Sequence, residues 1–530
     1  VGLNPVALYS SLQSDLKPFL DTDCGTQSHA AKVLDRTFLK KCADSELPDA
    51  EDRTLALFNE RRMRPRIDSF ELPLARAFLY NLLSDFHWEC CIEGMRVSSG
   101  AAIGSRGPRT STNGLLKLAD QGLTFGSPDS LELLVDLARL YDTPLYSTLS
   151  LRLYRDRDVM CTPYCELITV PKQIDVRRAI ALQPLVDAYM QQGVKHFLER
   201  KLRLIGLDIT TQQSYNQALA RLGSMNAGLS TIDFSAASDS LSWELLEYLL
   251  PPALFSAITL VTPPAYKIGG DIVTSGQVAL SMGNAITFPL ETLIFCAIAY
   301  QAQRLNGVTT RVNTNLAVFG DDVILDEAST PLFLELCQDA GFLPNKEKTF
   351  FTGDFRESCG SDWLNGINVR GVYIKTLLDD QALLSARNLL AAWQYRHDIP
   401  LTCTLTLIDS ELRSRGLEVF VPLDAPLNSG IRRVGGTWSS SSKLQCFACR
   451  VVTWKSSKRL PNPYLFERFP QALLQSALAG WIRDGYLTER PKEAVHRKLR
   501  THYFHKDDVP LLSERWLYDK TCRTAGLIWD

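Results

Sequence analysis

The stretch Leu316-Ala317-Val318-Phe319-Gly320-Asp321-Asp322-Val323-Ile324-Leu325 decides how this chain is read. Two short apolar runs flank Gly-Asp-Asp, the pattern of a β-hairpin with its turn at the tip. Gly320 supplies the positive φ that such a turn favours. Neighbouring side chains on a strand point to opposite faces, so one Asp leads and the other supports. Two carboxylates this close repel each other unless a cation sits between them. A divalent ion with oxygen ligands, Mg²⁺ above all, resolves that repulsion.

Three residues alone also describe a surface turn with two solvated acids. An earlier segment changes the reading: Ser230-Thr231-Ile232-Asp233-Phe234-Ser235-Ala236-Ala237-Ser238-Asp239-Ser240. It begins as a strand and becomes a helix over Leu241 to Leu250, with Asp239 or Ser240 as cap and Pro251-Pro252 as stop. Asp233 then stands at a strand end, where a second metal-binding carboxylate belongs. Two such carboxylates can clamp two Mg²⁺ ions roughly 3.5–4 Å apart for in-line phosphoryl displacement.

Composition agrees with a large enzyme. The 530 residues suffice for several subdomains, and 45 % hydrophobic with 22 % charged residues is ordinary for a globular protein. The formal net charge of −2 leaves room for a basic channel in a neutral whole. Thirteen scattered cysteines and no secretory signal at the start point to reduced thiols in a cytosol. The apolar run Ala285 to Ala299 carries Pro289 and Glu291 and is too short to span a bilayer, so it reads as a buried helix.

Helical spacing recurs at Leu55 to Met63, Leu72 to Leu83, Leu131 to Leu140, Leu185 to Leu204, Pro331 to Gly341 and Leu383 to Tyr395. Ser98 to Gly114 is a glycine-rich loop with Arg106 and Arg109. Leu167 to Lys172 reads as a strand running into a loop, in a stretch rich in Lys and Arg. Such cations suit phosphate. Lys267 to Val273 reads as a hairpin, and Gly276 to Gly283 as a loop before the buried helix, which Ser281 can cap. Pro344 to Phe350 reads as turn and strand. Arg432 to Arg459 forms a basic zone around four serines, and Cys446-x-x-Cys449 lacks the second pair that zinc requires.

Taken together, Asp233…Asp239, Ser281-Met282-Gly283-Asn284 with Thr287-Phe288 and Glu291, and Gly320-Asp321-Asp322 resemble motifs A, B and C of viral RNA-dependent RNA polymerases. Phe355-Arg356-Glu357-Ser358-Cys359-Gly360 resembles a segment particular to the replicases of single-stranded RNA bacteriophages, the Qβ-replicase-like family. The resemblance runs from about Val170 to Lys375. It implies an α+β right hand whose palm is an antiparallel sheet backed by helices. Residues 1–150 would form an N-terminal helical region and part of the fingers, 151–229 fingers, 230–378 palm, and 379–530 thumb.

The resemblance also implies roles. Asp233 and Asp321 would hold two Mg²⁺ ions, for which Mn²⁺ can substitute, with Asp322 in support. Lys172, Arg177 or Arg178 would cradle the triphosphate; Asp175, Arg177 and Gln183 depart from the family pattern there. Asp239 and Asn284 would read the ribose 2′-hydroxyl, with Ser281 and Gly283 beside the nucleotide. Lys348, or failing it Lys346, would protonate pyrophosphate. Arg356 and Gly320 would lie against RNA, with Arg356 paired to a carboxylate or to a phosphate. Implied partners are template and product RNA, NTPs, host elongation factors Tu and Ts and a small-subunit ribosomal protein, in the cytoplasm of an infected bacterium. The rivals are a reverse transcriptase, disfavoured by Gly320, Asp239 and the Phe355–Gly360 segment, and a non-catalytic RNA-binding scaffold, disfavoured by the intact Asp233, Asp321 and Asp322.

Overall fold

A computed structural model describes residues 3–455 apart from 23–24, 39, 41, 98–99, 106–114, 156–158, 227, 434–438 and 442–445, and beyond 455 only residues 458–459, 474, 477, 482–483, 486–488 and 496–505. The fold is α+β. Its centre is a three-stranded antiparallel sheet in the order Leu229–Ile232, Asp322–Asp326, Leu316–Phe319. Register pairs Ile232 with Val323 and Phe319 with Asp322. Asp233 and the Gly320-Asp321 turn therefore emerge at one end of the sheet.

Both faces of this sheet are covered, which is why the two hairpin strands read as apolar runs rather than alternating ones. Leu316, Val318, Val323 and Leu325 join the main core, which includes the helix Thr287–Leu305. Ala317 and Ile324 face the other way, onto Leu219 and Ala220 of the helix Gln212–Asn226. The Thr287–Leu305 helix is buried along nearly its whole length, Glu291 included. Phe234 locks the first strand to it: its ring stacks on Phe295 at 4.5 Å and meets Phe333 and Phe342 edge-on at 6.1 Å.

A second sheet, ordered Arg177–Leu182, Cys165–Pro171, Ala265–Ile268, Asp271–Thr274, lies beside the first and carries the cations. A third, Phe355–Ser358 with Ser361–Leu364 and Ile367–Asn368, packs against the Gln212–Asn226 helix.

The expected helices form: Ala50–Arg62, Pro73–Leu83, Pro128–Tyr141, Leu185–Leu204, Thr330–Asp339 and Asp380–His397. Two caps differ from expectation. Ser242, not Asp239 or Ser240, accepts from Leu245 N and starts the helix Trp243–Leu249. The reason lies upstream: Ala236 takes a left-handed φ of 51°, and Ala237–Ser240 turns as a 3-10 segment. Ser281 lies ahead of the Thr287–Leu305 helix without capping it, whereas Asn284 Oδ1 accepts from Ile286 N. Pro344 to Phe350 makes only isolated bridges, Phe234 to Pro344 and Thr231 to Phe350.

A separate core joins the first helices to a later segment of the chain. Leu8, Leu12 and Leu16 of the helix Pro5–Leu20 and Leu34 of Thr26–Thr37 pack with Leu390, Trp393, Ile408 and Leu412 of the helices Asp380–His397 and Thr402–Ser414. Asp15 accepts from Cys403 N, Thr404 N and Thr404 Oγ1, satisfying donors that a helix start leaves open. No helix among the described residues is long and apolar enough to cross a membrane. The Ser98–Gly114 loop falls mostly outside the described residues, as do the side chains of Lys443, Lys455, Lys458 and Arg459 in the basic zone. Arg432, from the same zone, is buried and donates to Ala425 O.

Candidate active site

Asp233 follows directly on its strand. Its main-chain oxygen accepts from Asn345 N at 2.8 Å and its Oδ2 from Asn345 Nδ2 at 2.9 Å. Lys348 Nζ lies 3.8 Å from Asp233 Oδ1 and 3.5 Å from Glu357 Oε1. Asp321 stands in the hairpin turn. Asp322 opens the return strand, and its carboxylate accepts from the Cys359 main chain. The Phe355–Gly360 segment thus backs the second aspartate.

The carboxylates are short of positive charge. Burial pushes Asp233 up to about 6, and Asp321 adds to the shift while Lys348 opposes it. Burial, then Asp321 and Asp233, push Asp322 up to about 7. Burial also raises Asp321, against the pull of Lys348, Lys172 and Arg178. Lys348 is desolvated, but Glu357, Asp233 and Asp322 outweigh that and hold its ammonium above the ordinary lysine value. Among the described residues no three acid, histidine or cysteine side chains converge into a ready metal cage. Asp233 and Asp321, half-buried and mutually repelling, are the donor pair that fits hard divalent ions completed by substrate oxygens and water.

The hairpin of Cys165–Pro171 and Arg177–Leu182 sets cations against this pair. Val170 lies opposite Arg178 and Pro171 opposite Arg177, so the two arginines point to different faces. Lys172 has an exposed side chain, yet the surrounding protein desolvates it and lowers its pKa, as does Arg178, while Asp321 and Asp233 pull it back up. Arg178 is exposed as well. Arg177 is not available to a triphosphate. It binds Glu46 at 3.3 Å and Glu51 at 3.1 Å and donates to Thr169 O.

Behind the aspartates lies the segment Ser281-Met282-Gly283-Asn284. Ala181 N donates to Met282 O at 2.7 Å, and a Cβ on Gly283 would come within 2.2 Å of Ala181 O. Gly283, at φ 106°, lets the loop press on the strand that carries Arg178. Ser281 is buried and accepts from Tyr266 Oη. Asn284 is buried and committed: Nδ2 donates to Thr262 Oγ1, and Oδ1 is taken by Ile286 N. Both of its polar atoms are thus engaged within the protein.

Two further expectations are corrected. Of the two partners open to Arg356, the structure shows the carboxylate and not RNA: the side chain is fully buried, with donors on Leu229 O, Gly353 O and Phe355 O and an ion pair to Glu327 at 3.0 Å. Gly320 is buried too. Its N–H donates to Thr292 Oγ1, and a Cβ there would lie 2.4 Å from Phe288 Cε2.

Sequence reasoning passed over several members of the site. Asn345 and Glu357 lie inside quoted segments but carried no stated role. Arg61, 3.8 Å from Asp239, comes from a helix with no motif of its own. Glu291 is wholly buried, accepts from Ser238 Oγ at 3.2 Å, and is pushed well above the usual range first by burial and then by Asp321. Glu291 thus holds a proton more tightly than an ordinary glutamate, between the two aspartate segments.

Comparison with known proteins adds the following. The family described as "RNA replicase, beta-chain" matches residues 40–415. The RNA-directed RNA polymerase subunit beta of Enterobacteria phage SP is 41 % identical over 209 residues, which cover 39 % of this chain and 35 % of that protein. The corresponding beta chain of Escherichia phage MS2 is 38 % identical over 228 residues, 43 % of this chain and 41 % of its own. For Escherichia virus Qbeta the figures are 36 % over 234 residues, 44 % and 39 %. The chain thus spans about two fifths of the length of these relatives. Among solved structures, the RNA-dependent RNA polymerase of bacteriophage phi12 aligns at 13 % identity with a TM-score of 0.38, over 78 % of this chain and 77 % of that one.

Proposed function

The chain belongs to the RNA replicase β-chain family, and from that premise we propose that it is an RNA-directed RNA polymerase copying a phage RNA genome by two-metal nucleotidyl transfer. One observation carries the reading. Asp233 and Asp321 leave neighbouring strands at the same sheet end, under the charges of Lys172 and Arg178. The right-hand division into fingers, palm and thumb belongs to the same proposal, with the central sheet as palm.

Asp233 and Asp321 are the residues that would hold Mg²⁺, and Asp322 steadies the hairpin from behind. When bound, the ions ease deprotonation of the attacking 3′-hydroxyl and neutralise charge on the triphosphate. Lys172 and Arg178 bind the phosphates. Lys348, kept protonated by Glu357, Asp233 and Asp322, holds a proton within reach of the leaving pyrophosphate. Asp239 accepts a hydroxyl of the incoming ribose. Template and product RNA run past the same sheet end. Host elongation factors Tu and Ts and a small-subunit ribosomal protein are the proposed partners, in the host cytoplasm.

The test is incorporation of NTPs by the purified chain on a short RNA template with Mg²⁺, with and without host extract, beside Asp321→Asn. Asp321→Asn is expected to lose on the order of 10²–10³-fold in rate. A folded wild type that incorporates nothing under any of these conditions, or an Asp321→Asn variant that matches it, overturns the proposal. Preference for dNTPs would move it to a reverse transcriptase.

A further inference from the structure

The two oxygens of the Asp239 carboxylate are treated differently. Oδ2 lies 3.8 Å from Arg61 NH1, while Oδ1 is buried without a hydrogen-bond partner among the described residues. A buried acceptor left unpaired is costly, so its persistence at a binding site marks a place where a ligand donor belongs. Asn284, the residue that the general polymerase pattern would set beside Asp239, is already tied to Thr262 and Ile286. The side chain that does accompany Asp239 is Arg61, itself about one-quarter exposed.

Arg61 is held there by a strap. It sits in the last turn of the helix Ala50–Arg62, and the residues after it cross the Asp239 segment with their own anchors. Arg62 NH1 donates to Thr274 O at 3.0 Å, and Arg62 O accepts from Gln277 N at 3.0 Å. Arg64 donates to Gly341 O and to Ser240 O, the main-chain oxygen next to Asp239. Arg66 lies 3.4 Å from Glu244. On the other side, the left-handed Ala236 and the Asp239 N to Ala236 O bond fix the turn that presents the carboxylate. Position is set from both directions, as discrimination between substrates requires.

We propose that Arg61 is a specificity-determining positioning residue: it pins Asp239 Oδ2 so that Oδ1 meets the 2′-hydroxyl of the incoming nucleotide, and ribose is selected by an Asp–Arg pair instead of an Asp–Asn pair. The inference rests on the polymerase reading and deepens it. The 2′-hydroxyl donates a charge-assisted hydrogen bond to Oδ1. A deoxynucleotide leaves that oxygen unpaired in a desolvated pocket, and sites built this way reject the analogue strongly. Without Arg61 the carboxylate is free to turn and take up water, so a missing hydroxyl matters less.

The experiment measures kcat/KM for one NTP and its dNTP with wild type, Arg61→Gln and Arg61→Lys, alongside thermal unfolding of each. Arg61→Gln is expected to lower the NTP-over-dNTP ratio by about tenfold or more, with a smaller loss for Arg61→Lys, which keeps the charge but not the fork. Asn284→Ala is expected to leave the ratio within about twofold of wild type, whatever it does to stability. A folded Arg61→Gln or Arg61→Lys with the wild-type ratio overturns the inference. So does an Asn284→Ala chain that loses discrimination while the Arg61 variants keep it. If Arg61→Gln does not fold, Arg61→Lys decides. Wild type inactive on NTPs would instead sink the polymerase reading itself, so the two failures are distinguishable.

Discussion

Replacing Arg356 with methionine separates two accounts of that residue. Motif resemblance sets it against RNA, while the structure buries it under the strand that carries Asp233. Its Nε donates to Leu229 O at 2.6 Å, NH1 to Gly353 O at 2.7 Å and Phe355 O at 2.8 Å, and NH2 to Glu327 Oε1 at 3.0 Å. Methionine keeps the apolar stem and removes every donor. Hydrogen bonds to a charged group contribute about 1.5–3 kcal/mol each, but not additively. Removing one partner of a buried ion pair costs about 3–5 kcal/mol. The Glu327 side chain is 35 % exposed and can rehydrate, which argues for the low end, about 3 kcal/mol. For a cooperative unit of 150–250 residues that lowers Tm by about 6–12 °C. The assay is thermal unfolding by circular dichroism, paired with RNA affinity across a salt series. An unchanged Tm would refute the burial account, most sharply if the salt slope of log K also fell by about 0.7–0.9, the signature of one lost phosphate contact.

Other expectations follow from single residues. Gly320→Ala puts a side chain at φ 63° and within 2.4 Å of Phe288; left-handed backbone costs about 1–2 kcal/mol and overpacking about 1–3 more. Phe288→Leu in the same chain should recover the overpacking share, and a Gly320→Ala chain that melts like wild type would contradict the contact. Asp187, raised by burial from 3.8 to about 7, binds a proton in the folded chain where the unfolded one has lost it, so its contribution to stability falls as pH rises from about 4 to 7. Asp187→Asn should therefore gain Tm relative to wild type at pH 8 compared with pH 4; a constant difference across that range would contradict it. Arg178→Gln should raise KM for NTPs, whereas Arg177→Gln should lower Tm with KM near wild type, because Arg177 is spent on Glu46 and Glu51. The reverse pattern would mean the two arginines had been assigned to the wrong faces.

The central hairpin and the Asp233 strand were legible because burial on both faces leaves a local trace, two apolar runs around a Gly-Asp-Asp turn. The Thr287–Leu305 helix was legible for the same reason. Arg356 was not, since a charged residue in sequence gives no sign that Leu229 O, Gly353 O and Glu327 will converge on it from distant segments. Arg177 and Arg178 are adjacent on one strand and differ only in face. Which one meets the site depends on where the helix Ala50–Arg62 brings Glu51, a tertiary fact. The cap at Ser242 was missed because the left-handed Ala236 uses up Ala237–Ser240 in a tight turn, and nothing about an alanine announces positive φ. Arg61 was missed because it belongs to no motif.

The core shared by the helices Pro5–Leu20, Asp380–His397 and Thr402–Ser414 has a consequence for synthesis. Asp15 and Cys403, which bond across it, are 388 residues apart in the chain. At about 5–20 residues per second, a ribosome needs roughly 20–80 s between the two. Through that interval Leu8, Leu12 and Leu16 have the neighbouring helix Thr26–Thr37 to pack on but not the helices Asp380–His397 and Thr402–Ser414, and the early helices must stay soluble while the centre forms around Asp233 and Asp321. The early helices can join that late segment only after the residues around Asp233 and Asp321 have been made, so a stall or truncation before Cys403 leaves a greasy face still open.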